Sequence, residues 1–444
     1  MWKTVLIVCA QVLLLAVPAY ADSYDLETFL ARVEEHSNDL KLVHKQRELA
    51  AAEKSAALSG ALPSIGVEAS YNRNLTDAYM YVDFPASEDG EGGVQKFNIN
   101  RNNEYAASAV LRQTLFNPIV YQAIKAARQY QKLTDLLYEA GHQDVITFAK
   151  KAYDQAILLR GIRDVTSASR ENARANYEQV QTSYDQGVVS EFDLLQAEAR
   201  WREVVSQASE SERNFQLALI GLKNLAGIPQ GDDLTLSGNL DACPPPPERL
   251  PLTAVLDQRP DFNALLWEEK LRETNVSAER AGYFPRLDAS LIYRFSSQSD
   301  EWRFDESNDH VIAGLTLTIP IFAGGHTRAR VHKARVELDQ ARIRLDQARD
   351  NVYQEVESVH LRLNEAHDRI LAAEAARNAA AKAFEIADVS AANGLATQLE
   401  LKDARMVYDQ SQVNYYATLY EYRAAYYDWE KATGQGLAAD GSGL

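Results

Sequence analysis

The chain has 444 residues, of which 46% are hydrophobic and 25% charged, and its formal net charge is −17. This composition is that of an ordinary folded protein and names no function. The acidic balance excludes the basic surface on which nucleic-acid binding depends, so we expect no nucleic-acid partner.

The N-terminus has the pattern of a secretory leader. Lys3 precedes an apolar run over residues 5–17, and Ala19-Tyr20-Ala21 supplies a small-x-small cleavage site. We therefore predict a signal peptide over residues 1–21 and a mature chain that begins at Asp22. This export signal predicts a protein that works outside the cytoplasm.

The mature chain is a tandem repeat. Gly187 and Gly394 each stand between two helical patterns, 207 residues apart (394 − 187 = 207), and each is followed three residues later by a hydroxyl residue, Ser190 or Thr397, that suits a helix N-cap. Four successive prolines after Cys243 cannot continue a helix and separate the copies. We predict repeat 1 over residues 22–242, a proline-rich linker over 243–249, repeat 2 over 250–434 and a disordered tail over 435–444.

Each repeat is predicted to begin with one helix, over residues 26–58 and 252–281, and to continue with two strands. Apolar and polar residues alternate over 285–296 and 311–321, and more weakly over 65–71 and 105–111. One interpretation is a half-buried hairpin packed on a helix, and the other is part of a transmembrane barrel. Four strands are too few to close a barrel, so the second interpretation needs further copies of the chain. The polar segments 72–104 and 296–310 are predicted to be solvent-facing loops.

Very long helical patterns follow the strands, over residues 118–186 and 326–393, and shorter helices return over 192–225 and 399–432. Apolar residues recur at spacings of three and four between Leu338 and Ala373, which is typical of a coiled coil. The tyrosine-rich stretch over 415–429 is interpreted as packing between helices. The expected fold is mostly α with a small β part.

No pattern of residues points to an enzyme. The eight histidines are scattered, and His360 and His367 have no acidic or cysteine cluster beside them that would favour a metal site. We therefore expect no catalytic residue, no cofactor and no metal.

Several features occur together that resemble the TolC-like outer-membrane efflux proteins, over about residues 24–434. They are the leader, the repeat of helix, strand pair, long helix, tip and return helix, Arg259-Pro-Asp261, the strand-opening Pro285, the Pro320-Ile-Phe-Ala-Gly-Gly325 turn, and the two glycine tips. The resemblance implies a homotrimer in which a long α-helical barrel continues a 12-stranded transmembrane β-barrel with four strands from each chain. It also implies a passive exit duct in the outer membrane of a Gram-negative bacterium, extending into the periplasm and served by a periplasmic adaptor and an inner-membrane transporter.

The resemblance also assigns residues. It implies that the apolar strand faces contact outer-membrane lipid and that Glu68, Arg112, Arg286 and Arg294 face the lumen. The adaptor-docking tips are then Gly187, Val188, Gly394 and Leu395. The periplasmic gate is Glu400 and Asp403, six and nine residues after the second tip glycine, with Asp193 as the counterpart of Glu400 in the first repeat.

Six gate carboxylates, two from each of three chains, should raise some of one another's pKa values by repulsion and attract cations. The sequence departs from the family pattern at Ala391 and Ala396, where a Tyr and an Arg help to latch the mouth, so the latch is in doubt here. The competing interpretation is an exported coiled-coil structural protein or a periplasmic adaptor, although no β-rich lipoyl-like domain lies between the arms of either hairpin.

Overall fold

A computed structural model describes residues 23–85, 93–304, 307–393 and 395–435. The predicted signal peptide lies outside the described residues, as do residues 436–444 of the predicted tail. In chain order the elements are β1 (Ser23–Tyr24), α1 (Leu26–His36), α2 (Asn38–Ser59), β2 (Ser64–Arg73), β3 (Tyr79–Phe84), β4 (Gly93–Asn98), β5 (Asn103–Phe116), α3 (Pro118–Asp185), α4 (Glu191–Leu225), β6 (Thr235–Leu236), α5 (Leu252–Gln258), α6 (Pro260–Ala281), β7 (Arg286–Ser299), β8 (Ser307–Thr318), α7 (His326–Ala392) and α8 (Gln398–Thr433).

The fold is mostly α-helical with a small β part, which confirms the predicted class. Within the described ranges, none of the helices has the length and apolar character needed to cross a membrane.

The opening helix of each repeat is two helices, so the prediction of one continuous helix is wrong. In repeat 2 the break falls at Arg259, which is extended because the following Pro260 restricts it. In repeat 1 the break falls at Ser37, a buried residue with φ −56° and ψ 128° that no proline announces. Pro260 is a signal for the break in repeat 2, since the residue before a proline is a probable helix boundary, whereas no proline marks the break in repeat 1.

The strands predicted in the two repeats form one antiparallel sheet with the order β2-β5-β7-β8. They are longer than the alternation predicts, and the interpretation of 72–104 and 296–310 as loops throughout is wrong. β7 continues to Ser299, and the segment after β2 contains the separate hairpin β3–β4. Backbone hydrogen bonds between neighbours hold these strand ends, and they leave no signal in the side-chain pattern.

The described residues divide into two compact units, and each unit draws on both repeats. The first, called here the helical unit, is the described part of Met1–His44, Glu139–Arg259 and Asn351–Leu444. The second, called here the sheet unit, is the described part of Lys45–Tyr138 and Pro260–Asp350.

The helical unit has a large apolar core that includes the fully buried rings of Phe29, Tyr153 and Tyr422. The tyrosine-rich part of α8 packs into this core, which confirms its predicted role. In the sheet unit, Leu338 packs with Val276 and Ala334. Residues that follow the predicted apolar spacing along α7 are buried in both units. They are Leu338, Ala341, Leu345, Val352, Val359, Leu363, Ala366, Ile370 and Ala373.

Two glycines close the repeats in the same way inside the helical unit. Gly227 has φ +61°, and a Cβ there would lie 2.9 Å from the Cβ of His36 at the end of α1. Gly434 has φ +75°, and a Cβ there would lie 2.8 Å from the Gln258 carbonyl oxygen at the end of α5. Each return helix therefore ends against the first helix of its own repeat.

Candidate functional sites at the helical tips and the sheet

The first tip joins α3 to α4 around Gly187. The N–H of Val188 donates to the Ser183 carbonyl at 2.9 Å, and the N–H of Gly187 donates to the Tyr184 carbonyl at 2.8 Å. These bonds satisfy carbonyls that the end of a helix leaves without partners. Gly187 has φ +72°, the left-handed conformation that the sequence predicts and that glycine adopts without steric cost.

The second tip, between α7 and α8, repeats this hydrogen bonding. The N–H of Leu395 donates to the Ser390 carbonyl at 2.8 Å, and both atoms lie 207 residues after their counterparts (395 − 188 = 207; 390 − 183 = 207). Gly394, the predicted centre of this tip, lies outside the described residues. The two turns thus share the hydrogen bond that ends the long helix.

Each tip presents large apolar side chains to solvent. Val188 and Leu395 are 72% and 83% exposed, and one turn further on Phe192 and Leu399 are 70% and 57% exposed. Exposed apolar groups at a loop tip are a surface suited to binding another protein.

The predicted gate acids lie immediately after the tips, and two of them are capping residues. Asp193 accepts the Ser190 N–H at 3.1 Å and Glu400 accepts the Thr397 N–H at 2.7 Å, while both hydroxyls accept the N–H of the acid in return. Each pair is a capping box. Sequence reasoning found the capping hydroxyls but missed the returning acid, although the Ser-x-x-Asp and Thr-x-x-Glu spacing signals it.

The capping bonds set the charge of these two acids. Hydrogen bonds from the Ser190 hydroxyl and N–H lower the pKa of Asp193, and those from the Thr397 N–H and hydroxyl lower the pKa of Glu400. Within one chain these hydrogen bonds stabilise the ionised form; the rise expected from repulsion between the carboxylates of three chains stays a prediction. Both acids are therefore ionised at neutral pH.

The tips differ in the acids on the helix face that carries Asp193 or Glu400. Asp403 is exposed and lies three residues after Glu400, on the same face of α8. The counterpart of Asp403 in repeat 1 is Gln196 (403 − 207 = 196). This face therefore carries two acids on α8, Glu400 and Asp403, and one acid on α4, Asp193.

The four residues predicted to face a lumen share one face of the sheet. The register places Glu68 opposite Ser108, and Ser108 opposite Arg294, and opposed residues point to the same side. Arg112 lies four residues from Ser108 on β5, and Arg286 lies eight from Arg294 on β7, and even spacings keep a side chain on the same face. This polar face gathers residues from both repeats.

The other face of the sheet is apolar and uncovered. One row across the four strands is Ile65, Leu111, Leu291 and Ala313, and the next is Val67, Ala109, Tyr293 and Val311. Ile65 and Val67 are each 77% exposed in the single chain, and Leu315 is 71% exposed. An apolar surface of this extent marks contact with lipid or protein.

A buried ionic cluster in the helical unit was not predicted. Arg423 Nε donates to Asp154 Oδ2 at 2.6 Å, the Tyr427 hydroxyl donates to the same oxygen at 2.8 Å, and Arg423 also donates to the Ala242 carbonyl at 3.0 Å. Burial raises the pKa of Asp154, and Arg423 acts against that shift. The cluster fixes α8 to α3 and to the start of the linker, and 269 residues separate its ionic partners, so no local pattern announces it.

The histidines weighed as metal ligands show no such arrangement. His367 packs against the Tyr422 ring, with 5.7 Å between ring centroids. In the part of the chain that the structure describes, no three His, Cys, Asp or Glu side chains are grouped so as to hold a metal ion.

Comparisons with known proteins agree with this arrangement. The model of the family described as "Outer membrane efflux protein" matches residues 30–228 and 252–435. The chain is 22% identical over 248 residues to the alkaline protease secretion protein AprF of Pseudomonas aeruginosa, covering 53% of this chain and 52% of AprF. It is 21% identical over 309 residues to the outer membrane protein TolC of Escherichia coli K12, covering 67% of this chain and 59% of TolC.

The chain therefore spans between half and three fifths of the length of these two curated relatives. The crystal structure of the Campylobacter jejuni CmeC outer membrane channel is similar in fold, with a TM-score of 0.77 and 22% identity over 93% of this chain and 86% of that one.

Proposed function

Because the chain belongs to the outer membrane efflux protein family, we propose that it is the outer-membrane exit duct of a tripartite efflux or type I secretion system. The protein is located in the outer membrane of a Gram-negative bacterium. In the proposed role it acts passively: an inner-membrane transporter delivers substrate through a periplasmic adaptor, and the duct releases it outside.

The observation that carries this proposal is a sheet with one polar face, one apolar face and two unpaired edges. Among the described residues, β2 and β8 each have a neighbour on one side only. A membrane tolerates strands only when every edge is paired. Three copies supply 3 × 4 = 12 strands, an even number that closes into a barrel.

In such a homotrimer the two faces of the sheet would contact different environments, lipid on one side and water on the other. The apolar rows would contact outer-membrane lipid, and Glu68, Arg112, Arg286 and Arg294 would line the water-filled lumen. The structure supports the sorting because all four charged residues lie on the side opposite Leu291 and its neighbours.

The helical tips are proposed to dock the adaptor. Val188 and Leu395 are the most exposed apolar residues of their tips, beside Gly187 and Gly394. The test replaces Val188 and Leu395 with Asp, which places charge on the surface without straining either turn. Export should be lost while the trimer persists, and a variant that exports normally would remove the docking role.

The acids after the tips are proposed to form a cation-attracting gate. Three chains would bring together three copies each of Glu400 and Asp403, with Asp193 close behind its own tip. The lowered pKa values of Glu400 and Asp193 keep those carboxylates charged at neutral pH, and a ring of negative charge concentrates cations at an entrance.

The gate is tested by ion selectivity in planar bilayers. Glu400→Gln combined with Asp403→Asn should lose the preference for cations. Gln at position 400 still completes a capping box, so the variant changes charge without opening the first turn of α8. An unchanged reversal potential would contradict the gate.

The duct itself is tested by fractionation and electrophoresis. Outer-membrane fractions should contain a trimer that converts to monomer on heating, and the purified trimer should conduct ions across a bilayer. The competing interpretation, an exported coiled-coil scaffold or adaptor, predicts a periplasmic protein that forms no pore.

A further inference from the structure

All four junctions between helices and strands lie at one end of the sheet. The register pairs Ser64 with Arg112, Phe116 with Leu287, and Arg286 with Thr318. The starts of β2 and β7 are therefore level with the ends of β5 and β8. The helices α3 and α7 both begin just beyond this end.

This end of the sheet is surrounded by exposed apolar side chains, called here the junction belt. Its members are Leu62, Tyr283, Phe284, Ile319, Ile321 and Phe322, and each is more than half exposed. Ile321 and Phe322 are 95% and 88% exposed. Apolar and aromatic residues at a strand end are typical of the border between hydrocarbon and headgroups.

Positive charge follows directly beyond the junction belt. Residues 118–134 of α3 and 326–336 of α7 contain no Asp or Glu, although the whole chain has a net charge of −17. These stretches contain seven exposed cations, of which Arg330 and Lys333 lie close to acidic side chains. Four of the others, Lys125, Arg128, Arg328 and Arg335, are called here the cation patch.

The cation patch is not explained by ion pairs or by helix stability. Within the described ranges none of its four members forms an ion pair with an acidic side chain, whereas the neighbouring Arg330 lies 2.7 Å from Glu279. Arg328 is in the first turn of α7, where the helix dipole disfavours positive charge. These cations are available to an anionic partner outside the chain.

We propose that the cation patch binds the phosphates of anionic phospholipids, of the phosphatidylglycerol type, in the inner leaflet of the outer membrane. The junction belt inserts beside it at the border of the hydrocarbon. The inference rests on the proposed function, because it requires the sheet to span the membrane with this end toward the periplasm. Clusters of Lys and Arg next to a membrane-spanning segment attract anionic headgroups in this way.

The spacing of the patch suits a headgroup layer. Arg328 and Arg335 are the third and tenth residues of α7, so they lie about 10 Å apart along the helix at about 1.5 Å per residue. The headgroup region of one leaflet is roughly 5–8 Å thick, and long cationic side chains extend several ångströms toward phosphates. Both ends of the patch therefore reach the same layer.

The test measures which lipid the purified trimer retains. Trimer in detergent is titrated with dioleoylphosphatidylglycerol or dioleoylphosphatidylcholine, and bound lipid is counted by native mass spectrometry. Wild type should prefer phosphatidylglycerol. The variant Lys125→Gln, Arg128→Gln, Arg328→Gln, Arg335→Gln should lose at least about tenfold of that preference.

A matched control removes the same charge elsewhere. Arg174→Gln, Arg202→Gln, Arg213→Gln and Lys382→Gln neutralise four exposed cations of the helical unit, and this variant should keep the preference. An equal loss in the control, or no preference in wild type, overturns the inference. If the patch variant fails to assemble, wild type decides: retention of phosphatidylglycerol must fall at high salt, and retention that ignores salt overturns it.

The failure of this inference is separable from failure of the duct. Wild type that conducts ions across a bilayer but shows no lipid preference rejects only the headgroup site. The cation-patch residues could instead line the passage. In that case the patch variant would change its ion selectivity while its lipid retention stayed the same, and this result would also reject the headgroup site. Wild type that forms no pore rejects the duct itself.

Discussion

The two repeats agree where the backbone must turn and differ where charge is buried. Gly227 and Gly434 both have positive φ and both lie against the first helix of their repeat. The Asp154–Arg423 pair has no second copy, because the positions 207 residues away hold Leu361 and Gln216. Turns are duplicated since their steric demands act within a few residues, whereas a pair that joins repeat 1 to repeat 2 is needed only once.

The largest expected loss of stability comes from removing the Asp154–Arg423 pair, which occurs in one copy only. Asp154→Ala leaves Arg423 buried without its carboxylate, and breaking one side of a buried ion pair costs about 3–5 kcal/mol. Urea unfolding followed by circular dichroism measures the change.

Leu361→Ala is the matched substitution in the other repeat. Leu361 is exposed in the single chain, so its removal should change the free energy of unfolding by no more than about 0.5 kcal/mol. Equal costs for the two variants would show that the repeats do not differ in the way proposed.

The next largest effect tests whether the strands of both repeats contact lipid. Leu315→Arg places charge on the apolar face and should cost about 2–4 kcal/mol of folding free energy in a bilayer if it lies near the midplane. Val67→Arg should cost a similar amount in repeat 1. Equilibrium folding into lipid vesicles measures both.

The control for these variants lies on the adjacent residue of β8. Thr316 is on the polar face opposite Asp288, so Thr316→Arg should be nearly neutral. A greater loss for Thr316→Arg than for Leu315→Arg would reverse the assignment of the two faces.

A smaller effect separates the repeat-closing glycines from the tip glycine. Gly227→Ala and Gly434→Ala combine positive φ with contacts of 2.9 and 2.8 Å, and should each cost about 2–3 kcal/mol. At Gly187 an added Cβ meets nothing within 4 Å, so Gly187→Ala should cost only about 1 kcal/mol of backbone strain. Thermal unfolding ranks the stability of the three variants. A larger loss of stability for Gly187→Ala than for the other two would contradict the tight packing of Gly227 and Gly434 against the first helices of their repeats.

The smallest effect concerns pH at the two tips. The folded-state pKa values of Asp193 and Glu400 are lowered, so their stabilisation of α4 and α8 is present above the unfolded pKa and is lost as pH falls through the folded value. Hydrogen exchange, corrected for its intrinsic pH dependence, should show both first turns protected at neutral pH and less protected below about pH 4.

Glu400→Gln separates the tips in the same measurement. It should abolish the pH dependence at the second tip and leave that of the first unchanged. Persistence of the full pH dependence at the second tip would mean that Glu400 is not the group responsible.

The sequence by itself determined the local features of this protein. Gly187, Ser190 and Thr397 predicted the ends of the long helices and the caps of the return helices, because the conformation of a turn depends on residues a few positions apart. Alternation over β7 predicted which residues share a face, since successive side chains of a strand point to opposite sides. The repeat and the buried spacing along α7 followed in the same way.

Only the tertiary structure decided the features that join distant residues. It placed Glu68 and Arg294 on one face through β5, paired Asp154 with Arg423, and built two units that each contain parts of both repeats. Among the described residues it also left the four members of the cation patch without acidic partners near one end of the sheet. Contacts of this kind form between chain segments that are far apart in sequence. A periodicity of two or 3.6 residues shows which face of a strand or helix is buried, but not which distant segment packs against that face.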